Sequence, residues 1–420
     1  MSNQLLEPDV NFIKELAGRG GDTLKKCYQC ATCSVACPIS PDNKPFPRKE
    51  MIAAGWGLSD RLVSDVDVWL CHQCGDCSSR CPRGAKPADV LGAIRSYAIE
   101  SYAKPSWLAK ALNDPKKLPT LIGIPVALFL VMGLLVGPII MKIIGPILDI
   151  FFKHAGDASA ATVKLLNFNP QLFHGHLAHA QFFSSWLVDI IFVPTMLFAV
   201  TVFLLSMRRF VRDMHESAVR EGKVAKDVEF SWMGILKALP KVVVMILKHQ
   251  KFTQCSENRA RATSHMMVLY GFISLFVVTS IFFVVLYGSM LLLGYTHALH
   301  GPYSQLNPVK WLANAAGLFL VIGSLAMLKE RLGKDPGTAK SAYQDWFLIG
   351  LVMALGVTGL GAEMTRLAGA AFTTYALYFC HLVTVWMLFA YVPFSKLAHL
   401  VYRTMALAYA EYAGREEAPV

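Results

Sequence analysis

From Pro119 to Met141 no charged residue interrupts the chain. At 1.5 Å per helical residue, that run is long enough to cross a bilayer core of roughly 30 Å. Five more apolar stretches follow, at about residues 181–207, 265–295, 311–328, 345–362 and 374–399. Ahead of Pro119 the pattern changes to short runs with helical spacing, broken by glycine and proline. Asn11 to Ala17 predicts a lead-in helix ending at Gly18 and the Gly20-Gly21 pair. Ser40 to Pro47 is a proline-rich bend, and Arg48 to about Ala54 a short helix. Residues 89–111 predict a closing helix with Val90, Leu91, Ile94 and Ala98 at helical spacing. Trp232–Lys248 is apolar but sets Lys237, Lys241 and Lys248 on one helical face. That predicts a helix on the membrane surface, kinked at Pro240; a seventh crossing there would break the charge asymmetry of the loops.

The expected fold is therefore mostly all-α, a small helical domain followed by a six-span transmembrane bundle. Its parts are residues 1–117, two membrane helices within 118–207, a loop with the surface helix over 208–264, four membrane helices within 265–403, and a tail over 404–420. Composition agrees: of 420 residues, 54% are hydrophobic and 16% charged, too apolar for one soluble globule. The net charge of +11 does not point to nucleic acid. Residues 1–117 hold 16 Lys and Arg against 13 acids, whereas 208–264 hold twelve basic residues and 329–340 four. Loop-restricted positive charge reports orientation, and no basic-aromatic stripe accompanies it. Both termini and the two basic loops are expected in the cytoplasm, and the chain in the inner (cytoplasmic) membrane. Met1 to Asp22 is polar and mixed in charge, unlike a secretory leader.

Eight of the ten cysteines form one pattern written twice. Cys27-x2-Cys30-x2-Cys33-x3-Cys37-Pro38 is followed by Cys71-x2-Cys74-x2-Cys77-x3-Cys81-Pro82, leaving Cys255 and Cys380 over. Three cysteines at i, i+3 and i+6 wrap a loop around three corners of a cubane, and in two-cluster ferredoxins the fourth ligates the other cluster. The expected groups are Cys27, Cys30, Cys33 and Cys81 on one 4Fe–4S cluster, and Cys71, Cys74, Cys77 and Cys37 on the other. Zinc knuckles lack the x3-Cys-Pro tail, and disulfides belong to oxidising compartments. His72, inside the second cassette, is placed to tune a cluster or simply to face solvent.

Twelve histidines are present. His381 and His399 share the last apolar stretch eighteen residues apart, which is five helical turns and about 27 Å on one face. Histidines at that depth are functional candidates, here as axial ligands of two stacked b-type haems, or else satisfied interfacial side chains. Asp189, inside the second stretch, and Glu363 with Arg366, at the end of the fifth, are possible proton acceptors or merely hydrated groups. Trp186, Trp311, Trp346 and Trp386 fit interfacial anchors or packing.

His381-Leu-Val, with Val392-Pro-Phe-Ser-Lys-Leu-Ala-His399-Leu, resembles the last span of the respiratory nitrate reductase gamma subunit, a dihaem cytochrome b that oxidises quinol. Arg259-Ala-Arg-Ala-Thr-Ser-His265 resembles the same family's basic loop and helix-opening histidine. The resemblance implies that His265 and His399 hold the haem nearer the cytoplasm. It departs at Leu275, where the family has another histidine, so the partner of His381 is open among His174, His176, His179, His297 and His300. His179 and His297 lie closest to span ends. The order of the two modules is similar to the C subunit of heterodisulfide reductase fused to its membrane E subunit, the layout of the C subunit of the quinone-interacting membrane-bound oxidoreductase. That resemblance implies electron transfer from menaquinol through b haems and two clusters to flavoprotein A and B subunits of one complex, and indirectly to adenylylsulfate reductase. No Gly-x-Gly-x-x-Gly follows a strand here, so a catalytic flavin is expected on other chains. The alternatives are a heterodisulfide reductase C/E-type subunit using another lipid-soluble carrier, and a haem-free iron–sulfur membrane anchor.

Overall fold

The computed structural model describes residues 7–136, 177–179, 182–183, 185–250, 261–293, 303–333 and 341–415. Among them every regular element is helical, with no strand. The first nine helices are α1 (Val10–Leu16), α2 (Thr32–Val35), α3 (Arg48–Gly55), α4 (Ser59–Val63), α5 (Val66–Leu70), α6 (Asp76–Ser79), α7 (Pro87–Tyr102), α8 (Ser106–Asn113) and α9 (Leu118–Val131). The lead-in helix forms where expected because Asp9 caps it, accepting from the amides of Asn11 and Phe12 at 2.9 and 3.0 Å. The expected closing helix over 89–111 is instead two, α7 and α8, separated by Lys104-Pro105. A proline inside a helix removes one amide donor and clashes with the preceding turn, so the chain turns there.

Among the described residues seven further helices follow: α10 (Ser185–Arg220), α11 (Trp232–Leu247), α12 (Ala262–Leu293), α13 (Pro308–Leu332), α14 (Tyr343–Leu367), α15 (Ala371–Tyr391) and α16 (His399–Ala413). Among the described residues six helical segments are long and apolar enough to cross a membrane: Pro115–Leu134, Leu187–Arg220, Ala262–Ser289, Pro308–Leu332, Tyr343–Leu367 and Ala371–Phe394. The surface-helix candidate α11 is not among them. It carries Pro240, and its Lys241 pairs with Glu411 of α16.

The last expected span, 374–399, is corrected. α15 ends at Tyr391, two 3-10 turns cover Val392–Phe394 and Lys396–Ala398, and α16 starts afresh at His399. Pro393 cannot continue α15, and the Ser395 hydroxyl caps the next turn by accepting from Leu397 N at 3.2 Å. His381 and His399 therefore do not share one helix, and the five-turn spacing between them does not apply. Residues 404–413, expected in a tail, continue α16 as a buried helix.

The small domain and the membrane half share one core. Trp69 of α5, Phe210 of α10 and Tyr402 of α16 are all fully buried. Trp69 stacks on Tyr402 at 5.3 Å and meets Phe210 edge-on at 5.4 Å. Each such ring removed from water contributes roughly 1.5–3 kcal/mol. α10 makes this possible by running past the expected end of its span, so that Phe210, Val211 and Met214 reach the small domain. Ser206 and Arg209 also donate to the Tyr102 carbonyl at 3.2 and 3.1 Å, satisfying the C-terminus of α7.

A buried charge network locks the same junction. Lys223, just after α10, lies 2.5 Å from Asp65, 3.0 Å from Asp67, 3.4 Å from Glu221 and 3.5 Å from Glu50. Arg415, just after α16, adds a bidentate pair to Asp67 at 2.9 and 3.0 Å. Burial first, then the Asp65 and Asp67 charges, push Glu50 up to about 8 against the pull of Lys223. Glu50, Asp65 and Asp67 alone also have the spacing of a cation site, and the Lys223 ammonium takes that place.

Candidate functional site: two cysteine cassettes and four histidines

Both cassettes fold by the same local device. The residue before the middle cysteine has positive φ (Gln29 at 59°, Gln73 at 53°), and so does the residue after it (Ala31 at 69°, Gly75 at 103°). Alternating left- and right-handed residues turn successive amides toward one side, the concavity that holds anionic sulfur and phosphate groups. One-turn helices α2 and α6 then present Cys33 and Cys77. All eight cassette cysteines are free thiols.

The charges they sense tie Cys37 to the second cassette. Cys33 is raised to about 11 by burial and by Cys27 and Cys30. Cys37, from the first cassette, is raised to about 12 by burial and by Cys71 and Cys74 of the second. Burial also pushes up Cys71 and Cys77, and Cys77 feels Cys71, Cys74, Cys37 and, least, Cys33 of the first cassette. Thiols so placed stay protonated at neutral pH unless a metal compensates the thiolate, so the donor set fits a cluster. Cys30 differs: its thiol is exposed and lowered by a hydrogen bond with Thr32.

The histidines pair as well. His381, on α15, has its Nδ1 3.1 Å from the Thr358 hydroxyl of α14. A Cβ on Gly359 would stand 2.9 Å from the His381 ring, so only glycine permits this approach. His399 has its Nδ1 2.5 Å from the Lys396 carbonyl, and His265 has its Nδ1 2.9 Å from His249 Nε2. In all three imidazoles Nδ1 is engaged, as metal-binding histidines commonly hold one ring nitrogen by a hydrogen bond. His265 and His399 are electrostatic neighbours, and so are His179 and His381. His179 stacks on Tyr378 at 4.7 Å, and its Nε2 is buried with no hydrogen-bond partner among the described residues. Paired imidazoles are a donor set that haem iron takes. Leu275, where the resemblance leads to an expected histidine, packs against the aliphatic cluster of Leu320, Val352 and Leu355.

His174, His176, His297, His300 and Cys255 lie outside the described residues. Cys380 is an exposed free thiol and His72 is buried. Asp189 accepts from the Tyr287 hydroxyl, and Glu363 is paired with Arg366 at 2.9 Å and Lys310 at 3.0 Å. Trp386 donates to Thr195 at 3.0 Å and Trp311 to the Gln305 carbonyl at 2.5 Å, whereas Trp346 is partly exposed. Sequence reasoning missed His249, whose only signal is its place at the end of the amphipathic α11. It also missed Arg95, a charge inside the apolar run of α7, and Arg403.

Residues 23–85 match the family model of a 4Fe-4S dicluster domain. The chain is 38% identical over 104 residues to the C subunit of the H(2):CoB-CoM heterodisulfide,ferredoxin reductase of Methanothermobacter marburgensis, covering 24% of this chain and 54% of that protein. It is 36% identical over 105 residues to the second iron-sulfur C subunit of the CoB--CoM heterodisulfide reductase of Methanocaldococcus jannaschii, 23% of this chain and 56% of that one. A protein of Archaeoglobus profundus that is itself named as like the heterodisulfide reductase C subunit is 37% identical over 106 residues, 25% and 55%. The chain thus spans about half the length of the curated relatives it matches. No solved structure matches. The chain is similar to iron–sulfur subunits of oxidoreductases, and its dicluster segment is followed by helices fit to cross a membrane.

Proposed function

We propose that this chain is the membrane electron-transfer subunit of a quinol oxidoreductase complex, feeding electrons from menaquinol to cytoplasmic flavoprotein partners. The observation that carries this reading is the continuity of the two modules. Cys71 stands two residues from Trp69, Trp69 packs on Tyr402, and Tyr402 follows His399 by three positions on α16. In this reading Cys27, Cys30, Cys33 and Cys81 hold one 4Fe–4S cluster, and Cys71, Cys74, Cys77 and Cys37 the other. His265 and His399 hold the haem b nearer the cytoplasm. His381 takes His179 as its partner for a second, a choice supported by their proximity and by the orphaned His179 Nε2. When bound, these groups accept and release single electrons, dividing a two-electron quinol donor into one-electron steps.

The chain's own residues supply position and field. Thr358, Lys396 and His249 hold each imidazole at Nδ1, and the positive-φ turns aim backbone amides at cluster sulfur. The basic loops 208–264 and 329–340 support a cytoplasmic cluster domain. Electrons leave by the first cassette, where Cys30, Tyr28 and Val35 are exposed, toward partners such as the A and B subunits and, beyond them, adenylylsulfate reductase. The heterodisulfide reductase relatives support a second reading, a C/E-type chain of such a reductase with another lipid-soluble carrier; the co-purifying subunits distinguish the two.

The deciding experiment measures b-type haem, iron and acid-labile sulfide per chain in the complex, then reduction by a menaquinol analogue. Two cubanes with two quinol-reducible haems are expected. One haem would restrict ligation to His265 and His399. None would sink the cytochrome part and leave an iron–sulfur membrane anchor.

A further inference from the structure

The two cassettes share a spacing but differ in what precedes their first cysteine. In the second, the two residues before Cys71 are Trp69 and Leu70, and both are fully buried. They belong to the core that the small domain shares with α10 and α16. In the first, the same two positions ahead of Cys27 hold Lys25 and Lys26, and both are exposed. The residue after the first cysteine changes in the same sense: His72 is buried, whereas Tyr28 stands in solvent. One loop geometry thus presents a surface twice. Once it is apolar and covered by the membrane half; once it is cationic and bare.

Other cations join the bare one. Arg83, two residues beyond Cys81, donates to the Tyr28 hydroxyl at 2.9 Å and lies over its ring at 4.0 Å. Arg48 donates to the Gln29 carbonyl at 2.8 Å, and the exposed Arg80 adjoins Cys81. No acidic residue stands from Lys25 to Pro41 or from Cys77 to Ala88. Exposed cations by themselves are ordinary surface. Here the same cassette also leaves Tyr28, Cys30 and Val35 exposed, and the tyrosine is held in place by an arginine. Apolar groups among polar ones, with Tyr and Arg prominent, are the composition of a protein–protein contact.

We propose that this face of the first cassette, built on Lys25, Lys26, Tyr28, Arg80 and Arg83, docks an acidic surface of a soluble redox partner. The proposal rests on the reading of the chain as an electron-transfer subunit and names the chemistry of the partner's contact face. Opposite charge steers the approach and fixes its orientation, while Tyr28 and Val35 supply apolar contact. Docking there sets the partner against Cys30, the exposed ligand of its cluster. A protein is favoured over a bilayer because the small domain already meets the membrane half through the second cassette, by Trp69 on Phe210 and Tyr402.

The test uses native membranes that still hold the whole complex. A water-soluble carbodiimide joins an amine directly to a carboxylate, so it reports only groups in contact. Mass spectrometry of the digest is expected to find Lys25 and Lys26 joined to Asp or Glu of a soluble partner chain. Links from these lysines only to carboxylates of this chain, or none where other lysines are joined across chains, would overturn the proposal. Charge reversal gives a second readout. Lys26→Glu with Arg80→Glu is expected to weaken retention of the partner at least tenfold and to flatten its dependence on salt. Lys26→Arg with Arg80→Lys should restore both. Iron and acid-labile sulfide per chain should match the parent, which separates lost docking from a lost cluster. Unchanged retention with both clusters intact would overturn the proposal. So would protection of Lys25 and Lys26 from acetylation by anionic phospholipid nanodiscs holding the full chain alone, which would assign the face to the bilayer. Fewer than two clusters in the unaltered complex would instead remove the reading on which the proposal rests.

Discussion

Cys27–Cys37 and Cys71–Cys81 share one spacing, the same pair of left-handed turns and the same one-turn helix. Around the first, Cys30 is exposed, and Tyr28 and Val35 stand 67% and 87% in solvent. Around the second, Cys71 and Cys77 are buried, and Cys71 shares a core with Trp69, which the membrane half grips through Phe210 and Tyr402. The spacing decides how a loop wraps; the surroundings decide what the wrapped group exchanges with. An identical motif thus gives one cassette a buried, structural face and leaves the other an exposed one.

The largest test of this contrast is to break each cassette in turn. Cys71→Ser removes a buried donor from the shared core, whereas Cys30→Ser removes an exposed one. Both should cost one cluster in iron analysis. Because cluster binding is folding free energy in a small domain, Cys71→Ser should also lower the midpoint of thermal unfolding sharply and loosen α16, whose Tyr402 shares that core. Cys30→Ser should leave that junction intact. Equal losses of stability would mean the burial difference is inconsequential.

Lys223→Met should come next. It leaves Glu50, Asp65, Asp67 and Glu221 without their shared cation, and breaking a buried ion pair from one side costs roughly 3–5 kcal/mol. The expected result is proteolytic release of the small domain from the membrane part at lower temperature, with both clusters retained until then.

A smaller effect is expected from Glu50→Gln, read as a change of slope with pH. Glu50 has an ordinary value of 4.5 and is held near 8 in the folded chain. Between those values the folded state keeps a proton that the unfolded state has lost, so this group makes stability fall as pH rises through that window. Asp65 is raised in the same sense. Lys223 is raised above 10.5, so its contribution is complete across this range and is lost only at higher pH. Thermal unfolding followed by cluster absorbance from pH 6 to 8 should therefore fall less steeply in Glu50→Gln than in the parent. Parallel curves would show that Glu50 is ionised in the folded protein.

The cassettes and the apolar runs were legible because each is a local signal: ligand spacing in one case, run length in the other. The break at Pro393 was written in the chain too, but the apolar character of 374–399 concealed it. The junction was not legible. Trp69, Phe210 and Tyr402, like Asp65, Lys223 and Arg415, come from stretches far apart, and no periodicity within one stretch states which other it meets. His249 was hidden for the same reason, since its partner His265 lies beyond a stretch of different character. His179 is the reverse case: its place near a span end singled it out, and its neighbour is His381.

The smallest and cleanest comparison exchanges the residues after the middle cysteines. Ala31 holds φ 69° and Gly75 holds φ 103° in equivalent turns. An alanine in the left-handed region costs roughly 1–2 kcal/mol relative to its preferred conformations, so Ala31 carries a strain that glycine would not. Glycine also leaves the unfolded chain more freedom, which takes back part of the gain. Ala31→Gly should thus raise stability by about 0.5–1 kcal/mol or be neutral. Gly75→Ala should lower it by more than about 1 kcal/mol. A Cβ at Gly75 meets nothing within 4 Å, so backbone conformation alone would account for that loss. If Gly75→Ala is silent while cluster content is unchanged, the second cassette relaxes its turn on binding iron and sulfur, and the local identity of the two cassettes ends there. If the loss appears as expected, the two turns obey one backbone rule, and their differences belong to what packs around them.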